Sequence, residues 1–299
     1  MTRLGSKGII SAGGRTTAPL RRGKCRSPAG YLSAVELFSD AQLAVLRAQA
    51  VAAAVAGARE LLRHLDARTE ALLIRAKPDG SPVSAADFAS HRAILASLAP
   101  TGIPVISEEG DLPPYAERRA WPVFWLVDPL DGTAAFLEHR SGFAVNIALC
   151  TPHAPLRGVV ADPLTGSIYS GAAGAGVTLH DLSHPDAPPA PIAPPPPQRP
   201  YRLLISRSES APLDALLPPH LTGERIDVAR VSGALKFCLL ATGEAELHSR
   251  TGPYMEWDCA AGDGILRAIG LTVYSRTTGT PLHYNSPDLR VHGLWVSRV

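Results

Sequence analysis

The apolar run Phe124-Trp125-Leu126-Val127 passes straight into Asp128-Pro129-Leu130-Asp131-Gly132-Thr133. Four apolar residues in a row read as a short strand buried on both faces. Pro129 stops its simple continuation, so two carboxylates stand at the end of a buried strand. That combination limits the fold more than any other segment does. A tight turn here turns both carboxylates and the Leu130 carbonyl toward one point, the oxygen set that hard divalent cations take. Gly132 and Thr133 come next, where a helix start would offer free N–H groups to an anion. Taken alone, the same six residues also read as a plain turn.

Three other segments put carboxylates at the ends of elements. Ser107-Glu108-Glu109-Gly110 follows the short apolar strand Pro104-Val105-Ile106, and singly it also reads as a solvated acidic loop. Ser84-Ala85-Ala86-Asp87 has the form of a capping box opening a helix to about Leu98, preceded by the turn Lys77-Pro78-Asp79-Gly80. Trp257-Asp258-Cys259-Ala260-Ala261-Gly262 begins a helix to about Ile269, where Asp258 also reads as an N-cap.

Around these motifs the chain has a readable order. Val35 to Leu65 is rich in Ala, Leu and Arg at three- and four-residue spacing, as one long helix or two abutting ones, and Ala71 to Ala76 suits a strand. Phe143 to Cys150, Arg157 to Ala161, Ser167 to Tyr169 and Gly176 to His180 read as a meander of strands. Pro185 to Pro200 is dominated by proline and excludes a helix or a central strand, so a solvated polyproline-like connection is expected. Beyond it, Arg202 to Ser206 reads as a strand and Ala234 to Ala241 as a helix. The expected division is a basic tail at 1–30, an α+β half at 31–182, the connection at 183–200 and an α/β half at 201–299.

Charge narrows the function. The net charge is +2, but seven basic and no acidic residues lie between Met1 and Gly30, so the rest carries −5. A mildly acidic body argues against a nucleic-acid surface. Four dispersed cysteines without a C-x-x-C pair argue for a reducing compartment rather than a disulfide or zinc framework. No uninterrupted run of about 18 apolar residues is present, so no transmembrane segment is expected. His180 and His184, four apart beside the proline segment, read as solvated.

Together the motifs resemble one family. K-P-D-G-S-P-V-S-A-A-D, P-V-I-S-E-E, W-L-V-D-P-L-D-G-T-A-A-F, F-A-V-N-I-A-L and W-D-C-A-A-G occur in the order found in the inositol monophosphatase-like, lithium-sensitive phosphatases. Within them the chain is most similar to the bacterial 3′(2′),5′-bisphosphate nucleotidase branch, from about Ala71 to Val299. The resemblance implies a five-layered αβαβα sandwich and two or three Mg²⁺ ions per site. It implies metal ligation by Glu108, Asp128, the Leu130 carbonyl, Asp131 and Asp258, with Glu109 beside them. Asp87 and Thr133 would be the catalytic pair that activates water. The substrate site would draw on Glu108, Leu130, Asp131, Gly132, Thr133, Lys236 and Asp258. Lys77 itself is open to two readings, a contact to the phosphate or one to a neighbouring loop. The implied reaction removes the 3′-phosphate of adenosine 3′,5′-bisphosphate or its sulfated relative. The implied location is cytoplasmic or peripheral at the inner membrane, and no oligomeric state is implied.

The match departs at the rim. Ala134-Ala135 replace the branch's Lys-Glu, Glu209 stands where Ser-Arg-Ser is followed by His, and Ser232-Gly233-Ala234-Leu235-Lys236 keeps the lysine while losing a hydroxyl. A glutamate at 209 is expected to repel a phosphate. The rival readings are an inositol-phosphate or sugar-phosphate phosphatase and a non-catalytic metabolite-binding relative.

Overall fold

The computed structural model describes residues 37–66, 75–76, 82–138 and 141–299. The basic tail, the turn at Lys77-Pro78-Asp79-Gly80 and most of the strand expected at 71–76 lie outside them. Helix α1, Asp40–Asp66, starts behind Ser39, whose hydroxyl accepts from Gln42 N while Gln42 Oε1 accepts from Ser39 N. This reciprocal cap fixes the start of this helix at Asp40, and the expected start at Val35 lies outside the described residues. Helix α2, Ala85–Leu98, begins at the anticipated capping box.

Seven strands form the larger sheet: β1 Val105–Ser107, β2 Phe124–Asp131, β3 Ala144–Cys150, β4 Pro155–Asp162, β5 Ser167–Ala172, β6 Gly176–Asp181 and β7 Ala190–Ile192, paired in chain order. The β1–β2 pair is parallel and the others antiparallel. β7 corrects an expectation, because the proline-rich connection is not wholly a solvated spacer. Its residues 190–192 pair with β6 as an edge strand, a position proline tolerates.

β2 alternates as the period of two requires. Trp125 and Val127 join the core beneath α1 and α2, while Phe124 and Leu126 face the opposite core. The opposite core is filled by helix α4, Leu235–Thr242, and helix α5, Glu256–Arg267. α5 lies almost directly on the sheet. A Cβ at Gly158 of β4 would stand 2.0 Å from the Ala261 carbonyl oxygen, so only glycine admits this approach.

The second sheet has five strands: β8 Tyr201–Ile205, β9 Ile226–Arg230, β10 Leu247–Met255, β11 Tyr274–Ser275 and β12 Arg290–Ser297, in the order β9-β8-β10-β12-β11. Its inner face, with Leu204, Tyr254, Leu294 and Val296, covers α4 and α5. Its outer face packs Leu203, Ile205 and Leu247 on the short helical turns at Leu216 and Leu221. Helices, sheet, helices, sheet and short helices make five layers, the αβαβα sandwich.

Against the expectation of no membrane-compatible segment, α1 is long and apolar enough to cross a membrane, with mean hydropathy 1.4 over its most apolar window. Half of that window is buried here against α2 and the larger sheet. Among the described residues Cys150, Cys238 and Cys259 are free thiols buried in the core.

Candidate active site

The alternation of β2 carries past Val127 and turns Asp128 toward the layer that holds α5. Asp128 is buried, and its Oδ1 accepts the Leu130 amide at 3.0 Å, which closes the turn. Pro129 frees its carbonyl to accept Ser90 Oγ at 2.8 Å, so α2 anchors the same turn. Gly132 takes φ +90°, and helix α3, Thr133–Leu137, starts immediately after it. A side chain at 132 would be strained at that φ and would crowd the Gly142 carbonyl oxygen at 2.8 Å.

Asp87 reaches the site from the first turn of α2. Its Oδ2 is held by Ser84 N at 2.7 Å and Ser84 Oγ at 2.6 Å, and its Oδ1 accepts Thr133 Oγ1 at 3.1 Å. Thr133 Oγ1 also lies 3.3 Å from the Leu130 carbonyl. Glu108 stands at the end of β1 beside β2, its amide bonded to the Val127 carbonyl at 3.1 Å. Half-buried Glu109 follows it in the same loop. Asp258 lies in the first turn of α5 and accepts Met255 N at 2.8 Å; it is therefore an inner first-turn residue and not the cap.

The carboxylates of Glu108, Asp128, Asp131 and Asp258 sense one another. Burial pushes Asp128 well above the usual carboxylate range, and the charges of Glu108, Asp131 and Asp258 push it the same way. Asp258 is raised well above that range by burial, then by Asp131 and Glu108. Burial raises Asp131 too, opposed by Lys236, Asn146 and the Ala234 amide. Such a cluster is stable only if protons or cations neutralise it. The donor set is oxygen alone, with a main-chain carbonyl adjacent, which fits a hard divalent cation. Among the described residues no three of these groups already converge as metal ligands. The Asp131 carboxylate instead accepts Asn146 Nδ2 at 3.2 Å and the Ala234 amide of the second half.

A cleft of about 340 Å³ opens beside this cluster, lined by Asp131, Gly132, Ala134, Lys236, Arg250 and Asp258, among others. Lys236 is 1% exposed, and its Nζ donates to the carbonyls of Gly233 at 2.6 Å and Val231 at 3.2 Å. Burial brings it down to about 8, although Asp131 favours its charge. The lysine thus braces the loop at 231–233 as well as contributing charge to the cleft.

Arg250 was not singled out from the sequence. Its guanidinium stacks 4.4 Å over the Tyr254 ring and faces the same cleft. The only signal was its place in a strand disguised by Gly252-Pro253. Glu209 is buried and accepts hydrogen bonds from Ser210 N, Ala211 N and Thr251 N. Lys77 lies outside the described residues.

Comparison with known proteins places this arrangement in a class. Residues 41–297 match the inositol monophosphatase family, and the chain belongs to that family. It is 39% identical over 221 residues to the 3′(2′),5′-bisphosphate nucleotidase CysQ of Shigella flexneri, covering 72% of this chain and 85% of that one. The CysQ of Escherichia coli K12 is 39% identical over 227 residues with the same coverages. Among solved structures, CysQ from Bacteroides thetaiotaomicron superposes with a TM-score of 0.73 at 30% identity, over 85% of this chain and 97% of that one. An inositol monophosphatase from Anabaena shares the fold with a TM-score of 0.64 at 23% identity, covering 86% and 92%.

Proposed function

We propose that this chain is a Mg²⁺-dependent phosphomonoesterase that removes the 3′-phosphate of adenosine 3′,5′-bisphosphate. The observation that carries the reading is the mutual repulsion of the neighbouring carboxylates of Glu108, Asp128, Asp131 and Asp258, with the Asp87–Thr133 hydrogen bond in the same structure. The names and identities of the nucleotidase relatives support the substrate.

Glu108, Asp128, the Leu130 carbonyl, Asp131 and Asp258 would hold two or three Mg²⁺ ions. The chemistry such ions would supply there is a lowered pKa for a water and neutralisation of charge on the phosphate. The chain's own groups do the rest. Thr133 Oγ1 donates to Asp87, so its oxygen would accept the proton of the attacking water as its own proton passes to the Asp87 carboxylate. Ser84 fixes the other Asp87 oxygen, so the carboxylate can pass its orientation to Thr133 and so to the water. The first-turn amides at Gly132 and Thr133 would cradle the scissile phosphate. Lys236, Arg207 and Arg250 give the cleft the positive charge that a second phosphate requires. A cytoplasmic site of action belongs to the same reading, supported by the free thiols.

The Ala134-Ala135 wall favours a second reading, an inositol-phosphate or sugar-phosphate phosphatase, because it removes polar groups from the rim. Phosphate release from adenosine 3′,5′-bisphosphate and from inositol 1-phosphate separates the two. Mg²⁺-dependent, Li⁺-inhibited release that prefers the nucleotide is expected. Preference for inositol 1-phosphate would move the substrate and keep the chemistry. Release that persists in EDTA would remove the metal mechanism.

A further inference from the structure

Ser206-Arg207-Ser208-Glu209 leaves β8 and forms one wall of the cleft, where Arg207 and Ser208 lie exposed. Glu209 is 8% exposed, and both its oxygens are occupied. Oε1 accepts Ser210 N at 3.0 Å, Ala211 N at 2.9 Å and Thr251 Oγ1 at 2.9 Å, while Oε2 accepts Thr251 N at 2.8 Å. One carboxylate therefore fastens the loop to β10 at the residue next to Arg250. Arg230 of β9 completes the fastening, its Nη1 donating to the carbonyls of Ser206, Arg207 and Glu209 at 3.2, 2.9 and 2.8 Å. Burial works against the charge on Glu209, yet the Thr251, Ala211 and Ser210 donors hold the carboxyl below its usual range. Hydrogen bonds to an ionised acceptor are the strong ones, so this is a rigid joint within an otherwise exposed loop.

We propose that Glu209 is a specificity-determining positioning residue: by joining the 206–211 loop to Thr251 it fixes the spacing between Arg207 and Arg250, and that spacing selects substrates with a second, non-reacting phosphate. The inference rests on the bisphosphate reading above. Glu209 touches no substrate in this scheme. It acts through two cations on the same cleft, one on the loop it folds and one beside the strand residue it grips. No neutral side chain reproduces it, since glutamine has one acceptor oxygen where four donors converge.

The test is steady-state kinetics with adenosine 3′,5′-bisphosphate and with 3′-AMP, for wild type, Glu209→Ala, Glu209→Gln and Thr251→Val, with the Tm of each. Wild type is expected to prefer the bisphosphate. Glu209→Ala should raise KM for the bisphosphate about tenfold, with kcat and the 3′-AMP parameters within about twofold. Glu209→Gln should fall between, and Thr251→Val, which removes one hydroxyl donor, should raise KM roughly twofold to threefold. Equal losses on both substrates, or an unchanged preference in folded variants, would overturn the proposal. If Glu209→Ala does not fold, Glu209→Gln and Thr251→Val decide the matter by the same criterion. A wild type that hydrolyses both substrates with no preference overturns the bisphosphate reading itself, an outcome visible before any variant is measured.

Discussion

At the scale of single residues, Asp128 is the most informative position. Its Oδ1 takes a backbone N–H, a bond the isosteric Asn keeps, while the charge is what a cation needs. Asp128→Asn is therefore expected to lose turnover almost completely with no fall in the Tm of the metal-free protein, since it also removes a buried charge from a repelling cluster. Most activity surviving at saturating Mg²⁺ would contradict the role. His248 offers a stability prediction away from the carboxylates. It is fully buried, its Nδ1 donates to the Leu204 carbonyl at 2.8 Å, and it packs edge-on against Phe237. Burial lowers its pKa well below the ordinary value, with Lys236 and Arg250 adding to the effect. The unfolded chain thus takes up a proton near pH 6.5 that the folded chain refuses. The contribution is complete above that pH and declines as pH falls toward the folded value. Between pH 7.5 and 5.5 wild type should lose stability through this group, a loss absent from His248→Gln and read by urea unfolding at both pH values. Parallel pH profiles of the two proteins would rule it out.

At the scale of elements, the packing of α5 on β4 sets where Asp258 stands. Gly158→Ala would drive a methyl into the Ala261 carbonyl, so the helix must retreat. A loss of roughly 1–3 kcal/mol is expected, together with weaker Mg²⁺ activation, read by urea unfolding and by a Mg²⁺ titration of activity. A stability loss with unaltered Mg²⁺ activation would separate the helix position from the site. The legibility of elements followed how local their signals are. The α2 capping box, the strand into Asp128 and the meander from Ala144 to Asp181 were readable because cap, turn and alternation lie within a few residues. β10 and β12 were missed for a physical reason. Gly252-Pro253 and Gly293 read as breaks, while cross-strand pairing carries both strands through them, β10 with a register shift between Arg250 and Pro253. The site was legible residue by residue for the carboxylates, which the motifs carry. Arg250, hidden in β10, and the fastening of Glu209 to Thr251, 42 residues away, were not, because no local pattern encodes a long-range contact.

At the scale of the whole molecule, the candidate site is divided between layers: the loop after β1 holds Glu108, β2 holds Asp128 and Asp131, and α5 holds Asp258. A cation bound by all four would tie the sheet to the helix layer, so Mg²⁺ should raise Tm. At a hundredfold excess over Kd the gain is about 2.7 kcal/mol, and Asp258→Asn should lose most of it. An identical Tm with Mg²⁺ and with EDTA would mean that no such tie forms. The proline-rich run has a consequence of another kind. β7 is the outermost strand of the larger sheet, three residues long, with Pro191 at its centre and prolines on both sides. Proline has no N–H to present, so the run that closes this margin also blunts it as a template for a strand from another molecule. The segment that looks like a spacer in the sequence thus gives the sheet a short, proline-bearing margin with few donors to offer a neighbouring strand.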